Sequence, residues 1–175
     1  AISFTGGTAT GRHIAAAAAP AFKKLTLELG GKNASMVFAD CDFDAAVEGT
    51  VRAAFANQGE ICLCGSRVLV ERSLYERFRE AFVARVRALR VGDPLESGTD
   101  QGALVSAQHL EKVLSAVATA RREGGTVLCG GERAQVAGER CRDGWFMQPT
   151  VIDGLTAQCE TNQEEIFGPV ATLIP

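Results

Sequence analysis

The residues with most chemical potential lie in the run Phe55-Ala56-Asn57-Gln58-Gly59-Glu60-Ile61-Cys62-Leu63-Cys64-Gly65-Ser66-Arg67. A helical pattern ends near Asn57, a polar glycine-containing turn follows, and a cysteine stands just before a strand. A thiol in such a turn is open to a ligand and has backbone N–H groups around it, the conditions that make thiolates reactive. The blander reading is a buried structural cysteine, the commoner fate of that residue type. Cys41, Cys129, Cys141 and Cys159 are read that way. Cys62 and Cys64 also form a C-x-C, but no second cysteine or histidine pair follows at zinc spacing, so no metal is expected. His13 and His109 have no Cys, Asp or Glu partner at ligand spacing and are read as solvated or packing residues.

Glu28 admits three readings. It could be a solvated carboxylate on an edge strand. It lies 22 residues after Gly6, which suits the ribose-binding acid of a dinucleotide fold. It could also be a partly buried general base. The turn Gly6-Gly7-Thr8-Ala9-Thr10-Gly11 stands between a strand and a helix, where backbone N–H groups can cradle phosphate. It lacks glycine at Thr8 for the dinucleotide fingerprint, and it lacks the Lys-Ser/Thr pair of a P-loop where Arg12 and His13 stand. Taken alone, it is equally a tight connection or an anion site. Glu164-Glu165-Ile166-Phe167-Gly168-Pro169 reads as a charged turn entering a strand.

The elements that would position these residues alternate. Ile2 to Phe4 is a strand, followed by an Ala-rich helix running to about Ala19. Leu25-Thr26-Leu27-Glu28-Leu29 has period two, so its leucines share one face and Glu28 points to the other. Ala34 to Phe38 is expected as a strand buried on both faces. Three helices follow. Asp42 caps the first, with Phe43, Val47, Thr50, Val51, Ala54 and Phe55 inward. A Ser73/Glu76 capping box is expected to start the second, with Leu74, Phe78, Phe82, Val86 and Leu89 as its stripe. Ser106 caps the third, which Gly124-Gly125 ends. Further strands are expected at Arg67–Val70, Thr126–Cys129, Thr150–Ile152 and Val170–Ile174, and a solvated loop over 130–144. This alternation implies an α/β fold with a largely parallel sheet flanked by helices.

Composition narrows the class. At 175 residues the chain can form one ordinary domain. Its 46% hydrophobic and 22% charged content is that of a globular protein rather than a disordered one. The net charge is −3 and the 18 basic residues are scattered, which argues against a nucleic-acid partner. No apolar run approaches bilayer length, so no membrane segment is expected. The six cysteines sit in apolar or strand-like contexts, which favours reduced thiols and a cytoplasmic setting. The first and last residues read as the interior of a longer polypeptide.

Four motifs in order carry a resemblance. They are Phe4-Thr5-Gly6-Gly7-Thr8 with Gly11, Leu27-Glu28-Leu29-Gly30-Gly31-Lys32, Asn57-Gln58-Gly59-Glu60-Ile61-Cys62, and Glu164-Glu165-Ile166-Phe167-Gly168-Pro169. Together they resemble the aldehyde dehydrogenase superfamily over essentially the whole chain. Ala56 to Cys64, Gly31-Lys32-Asn33-Ala34, His109-Leu110-Glu111-Lys112-Val113 and Phe146-Met147-Gln148-Pro149-Thr150 are similar to its 2-aminomuconic semialdehyde dehydrogenase, or retinal dehydrogenase-type, branch.

The resemblance implies an oxidoreductase in which Cys62 is the nucleophile and Glu28 the general base, displacing the ribose reading of Glu28. It implies that Glu165 holds the nicotinamide ribose, that Phe167 lies beside the nicotinamide, and that Gly6 and Gly7 approach the pyrophosphate. It further implies NAD as cofactor (NADP not excluded), a small aldehyde such as a semialdehyde as substrate, and a homo-oligomer at full length. Residues 1–29 would end the cofactor domain, and 30–175 would be most of a catalytic domain truncated at its end. By the same pattern the oxyanion-hole amide lies upstream, so the piece alone is expected to be inactive. Two rivals share these residues: a truncated non-catalytic product of the same fold, and a cofactor-free thiol esterase. NADH formation with an aldehyde separates them.

Overall fold

The computed structural model describes residues 1–175, which divide into two compact units, Ala1–Gly31 and Lys32–Pro175. In the first, strand β1 (Ile2–Thr5) and strand β2 (Leu25–Glu28) pair in parallel, with Thr5 opposite Glu28. Parallel neighbours need a crossover, and helix α1 (Thr8–Ala18) supplies it. A 3₁₀ turn at Ala19–Ala21 follows, with Pro20 where its missing N–H costs nothing. Small residues on α1 have a cause: a Cβ on Gly11 would stand 2.4 Å from the Leu29 side chain. The leucines of β2 are partly buried, whereas Thr26 and Glu28 are exposed, as period two requires.

The second unit is a five-stranded sheet in the order β3-β4-β7-β6-β5. Its strands are β3 (Ala34–Val37), β4 (Arg67–Val70), β5 (Thr126–Cys129), β6 (Thr150–Asp153) and β7 (Val170–Ile174). All neighbours are parallel except β5 and β6. Helices α2 (Phe43–Phe55) and α3 (Tyr75–Arg87) share one core with Val68, Val151, Ala171 and Leu173. Helix α4 (Ala107–Arg122) builds another with Ile152 and Val170. Because adjacent strand residues point to opposite faces, Val151 against Ile152 and Ala171 against Val170 put helices on both sides of the sheet. Strand β7, between β4 and β6, is buried from Val170 to Leu173. A four-residue helix, α5 (Glu160–Gln163), precedes it.

Two expected caps form: Asp42 Oδ1 accepts from the Ala45 N–H at 3.1 Å, and Ser106 Oγ accepts from the His109 N–H at 3.1 Å. The Ser73/Glu76 capping box does not. Ser73 Oγ instead donates to Glu71 Oε1 at 2.7 Å, and Glu76 pairs with Arg79 at 2.5 Å. The helix begins at Tyr75 with Leu74 at its N-cap, so Ser73 stands outside the capping position. Strand β3 also departs from expectation. It lies at the sheet edge, with Met36 68% exposed and Phe38 60% exposed, because an apolar run alone does not tell an edge from a centre. The 130–144 segment is less solvated than its composition implies: Cys141 is buried, and the Ala134 N–H donates to the Phe146 carbonyl at 3.0 Å. No helix is long and apolar enough to cross a membrane.

Candidate active site

The thiol turn is built by breaking helix α2. After Phe55 the chain enters the left-handed region at Asn57 (φ 49°) and Gln58 (φ 56°), then at Gly59 (φ 71°). Three successive left-handed residues reverse the chain sharply, and the asparagine and glycine among them tolerate that region best. The amide of Gln58 holds the turn from outside: its Oε1 accepts from the Gly102 N–H at 3.2 Å, and its Nε2 donates to the Ala103 carbonyl at 3.4 Å. Gln101 Nε2 donates to the Phe55 carbonyl at 2.6 Å.

Cys62 is exposed at the end of this turn, and Cys64 is buried. The Cys62 carbonyl accepts from Asn33 Nδ2 at 2.6 Å, while no backbone carbonyl takes the Cys62 N–H. The peptide on one side of the thiol is thus fixed, and a donor beside the thiol stays available to a developing oxyanion. Burial pushes the Cys64 thiol above its ordinary range. Of the two cysteines, only Cys62 combines access with a donor-bearing turn.

Gly59 also joins the turn to the second loop. A Cβ there would stand 2.2 Å from the Gly168 carbonyl oxygen. Phe167, next to that glycine, is itself left-handed (φ 62°), which for a bulky aromatic costs about 1–3 kcal/mol and persists only when neighbours hold it. His109, in the first turn of α4, holds it. Its Nε2 lies 2.6 Å from the Phe167 carbonyl, and the two rings meet edge to face with centroids 6.1 Å apart. The same Nε2 is 3.4 Å from Glu60 Oε1, whose side chain is 9% exposed. Glu60 Oε1 also accepts from the Val105 N–H at 3.2 Å.

Glu165 is half-buried and lines a groove with Lys112, Thr119 and Glu164. Lys32 lies close by. Its own burial pulls the ammonium down to about 8, Arg67 adds to the effect, and Glu165 opposes it. In the first unit, the Gly6 N–H donates to the Glu28 carbonyl at 3.0 Å. It is therefore engaged in holding β1 to β2. Gly7 caps α1, and a Cβ there would meet nothing within 4 Å. Glu28 is exposed, so its strand does not itself supply the partial burial one reading expected. No group of three or more His, Cys, Asp and Glu side chains could hold a metal ion.

Within the second unit the structure therefore joins His109 to Phe167 and Glu60 in one set of contacts and Asn33 to Cys62 in another, the two connected through the chain from Glu60 to Cys62. Three of these, Glu60, His109 and Asn33, were not legible as functional residues in the sequence. His109 meets Phe167 across 58 positions, and Asn33 meets Cys62 across 29. Local spacing carries no signal at that range.

The sequence pattern of the Aldehyde dehydrogenase family matches residues 1–175. The chain is 47% identical over 175 residues to 2-aminomuconic semialdehyde dehydrogenase of Danio rerio, covering 99% of this chain and 36% of that protein. It is 44% identical over 174 residues to 4-trimethylaminobutyraldehyde dehydrogenase A of the same organism, covering 99% and 34%. The chain thus spans about a third of the length of the curated relatives it matches. Its fold superposes on betaine aldehyde dehydrogenase from Staphylococcus aureus, solved in complex with NAD+, with a TM-score of 0.93 and 38% identity over 98% of this chain and 34% of that one. With the pattern matched from first residue to last, and the thiol turn and aromatic loop built on that same fold, this chain belongs to the aldehyde dehydrogenase family.

Proposed function

We propose that the chain is part of an NAD-dependent aldehyde dehydrogenase that oxidises a small aldehyde to its carboxylic acid. The observation that carries this reading is the exposed Cys62 on a left-handed turn, with its carbonyl fixed by Asn33 and its N–H unclaimed. In this reading the Cys62 thiolate adds to the aldehyde carbon, and the Cys62 N–H donates to the oxyanion of the resulting thiohemiacetal. Oxidation of this adduct to a thioester releases a hydride, and NAD, when bound, would supply the acceptor for it. Glu28 then removes a proton from water, the water attacks the thioester carbonyl, and the C–S bond breaks to release acid and thiol.

The residues present suit the cofactor. The Glu165 carboxylate, which lines a groove with Lys112, has the acceptor chemistry that ribose hydroxyls would need. The half-buried Phe167 ring offers an apolar face beside it. Near the pyrophosphate, Gly7 and the first turn of α1 supply N–H groups, since the N–H of Gly6 is taken by Glu28. We assign the first unit to the end of a cofactor domain and the second to a catalytic domain. A semialdehyde such as 2-aminomuconic semialdehyde is the substrate we favour, on the similarity to relatives bearing that name.

The test is NADH formation, followed by absorbance, from a polypeptide of the relatives' length that contains this segment. Semialdehyde plus NAD should give NADH and acid in equal amounts, and Cys62→Ala should give none. Acid release from an ester without NADH formation from any aldehyde would replace this reading with a thiol esterase. The 175-residue chain alone should form no NADH.

A further inference from the structure

We propose that His109 is a positioning residue that couples the Cys62 turn to the Phe167 loop. The proposal rests on the reading above for its functional meaning, while the coupling itself is a property of the fold. A carbonyl oxygen only accepts, so the 2.6 Å contact requires His109 Nε2 to carry its proton and donate it to Phe167. Glu60 Oε1 lies 3.4 Å from the same nitrogen, near enough to attract the N–H though the hydrogen bond itself goes to Phe167. One proton therefore sits between the loop that carries Phe167 and the residue two positions before Cys62.

Both partners need that donor. The Phe167 backbone is held left-handed against its own preference, and the bond to its carbonyl is a specific restraint on that peptide. The Glu60 carboxylate is 9% exposed, so it requires donors; the Val105 N–H supplies one, and His109 Nε2, 3.4 Å away, carries the other polar hydrogen within reach. His109 is held at both ends: its backbone N–H donates to Ser106 Oγ at the start of α4, and its ring meets the Phe167 ring edge to face. If Phe167 moves, Nε2 turns away from or toward Glu60, and the thiol turn gains or loses a donor.

The test is a double-substitution cycle read as the rate of Cys62 alkylation by iodoacetamide, with peptide mass spectrometry. It uses wild type, Phe167→Gly, His109→Leu and the double variant, all well below their melting temperatures. Phe167→Gly frees the left-handed backbone, and should change the Cys62 rate by about 3-fold or more when His109 is present. In the His109→Leu background the same change should have less than about a 2-fold effect, and His109→Gln, which keeps an N–H donor, should restore the response. A loss of Tm with no change in the Cys62 rate, or additive effects of the two substitutions, would overturn the proposal. If the double variant does not fold, the cycle of Glu60→Leu with His109→Leu gives the other arm, with non-additivity of about 3-fold or more again expected and additivity again fatal. Alkylation needs no turnover, so this result and aldehyde oxidation succeed or fail separately.

Discussion

Replacing Gly59 by alanine should damage the thiol turn more than any other single methyl addition in this chain's glycine turns. At φ 71° an L-residue costs about 1–2 kcal/mol over glycine. The added Cβ would lie 2.2 Å from the Gly168 oxygen and 2.6 Å from its carbonyl carbon, both backbone atoms that cannot rotate aside. Relief of such an overlap by backbone shifts typically costs about 1–3 kcal/mol. Together these give about 2–5 kcal/mol, and at about 2–4 °C per kcal/mol for a chain of this size Tm should fall by about 4–20 °C. Gly7→Ala is the control, since its Cβ meets nothing within 4 Å and its φ of −66° suits any residue. Thermal unfolding followed by circular dichroism reads both, and Cys62 alkylation reads whether the turn has moved. A Gly59→Ala protein melting within 2 °C of wild type, at about the temperature of Gly7→Ala, would refute the claim that this approach sets the turn.

Three further outcomes follow from the site. Glu28→Gln in the longer enzyme should leave acylation intact and stall hydrolysis, giving a burst of about one NADH per active site in stopped-flow absorbance; unchanged steady-state turnover would remove Glu28 from the base role. Brief iodoacetamide treatment near neutral pH should label Cys62 before Cys64, whose burial and raised thiol pKa slow it, and predominant labelling of Cys64 would reverse the assignment. Lys32, held to about 8 when folded against about 10.4 in an unfolded chain, binds fewer protons in the native state between those values. Stability contributed through Lys32 should therefore rise as pH goes from about 8 to 10.4, so wild type should gain in Tm relative to Lys32→Met over that interval. A Tm difference independent of pH would contradict that.

Sequence periodicity placed the strands and the long helices well, because amphipathic stripes such as Phe78-Phe82-Val86 report burial directly. It failed where a choice depends on distant neighbours. Ala34–Val37 is apolar enough for a central strand, yet only the sheet order makes it an edge. Ser73 and Glu76 have capping-box spacing, yet α3 begins only at Tyr75 with Leu74 at its N-cap, and the Ser73 hydroxyl donates to Glu71, which also accepts from the Ala39 N–H at 2.8 Å. The same limit applies at the site. The turn before Cys62 was legible from Asn57, Gly59 and the end of the α2 stripe, all local. The clamp of His109 on Glu60 and Phe167 was not, because its three members come from a turn, a helix and a loop far apart in the chain.

The position of β7 has a consequence for how the chain acquires its site during synthesis. It is the middle strand of the second unit, yet it begins at Val170, 100 residues after β4 ends at Val70. At about 5–20 residues per second, a ribosome delivers β7 some 5–20 s after β4. Over that interval β4 has β3 beside it and an unpaired flank, and α2 and α3 have only part of the apolar surface they will cover. The Gly168 carbonyl that backs Gly59, and the Phe167 carbonyl that receives His109, arrive with that same strand. The nascent chain therefore carries a solvent-open thiol turn lacking its final restraints until the sheet closes. Reactivity and sheet closure should mature in one step, and the window before it is when a holdase chaperone would engage this segment.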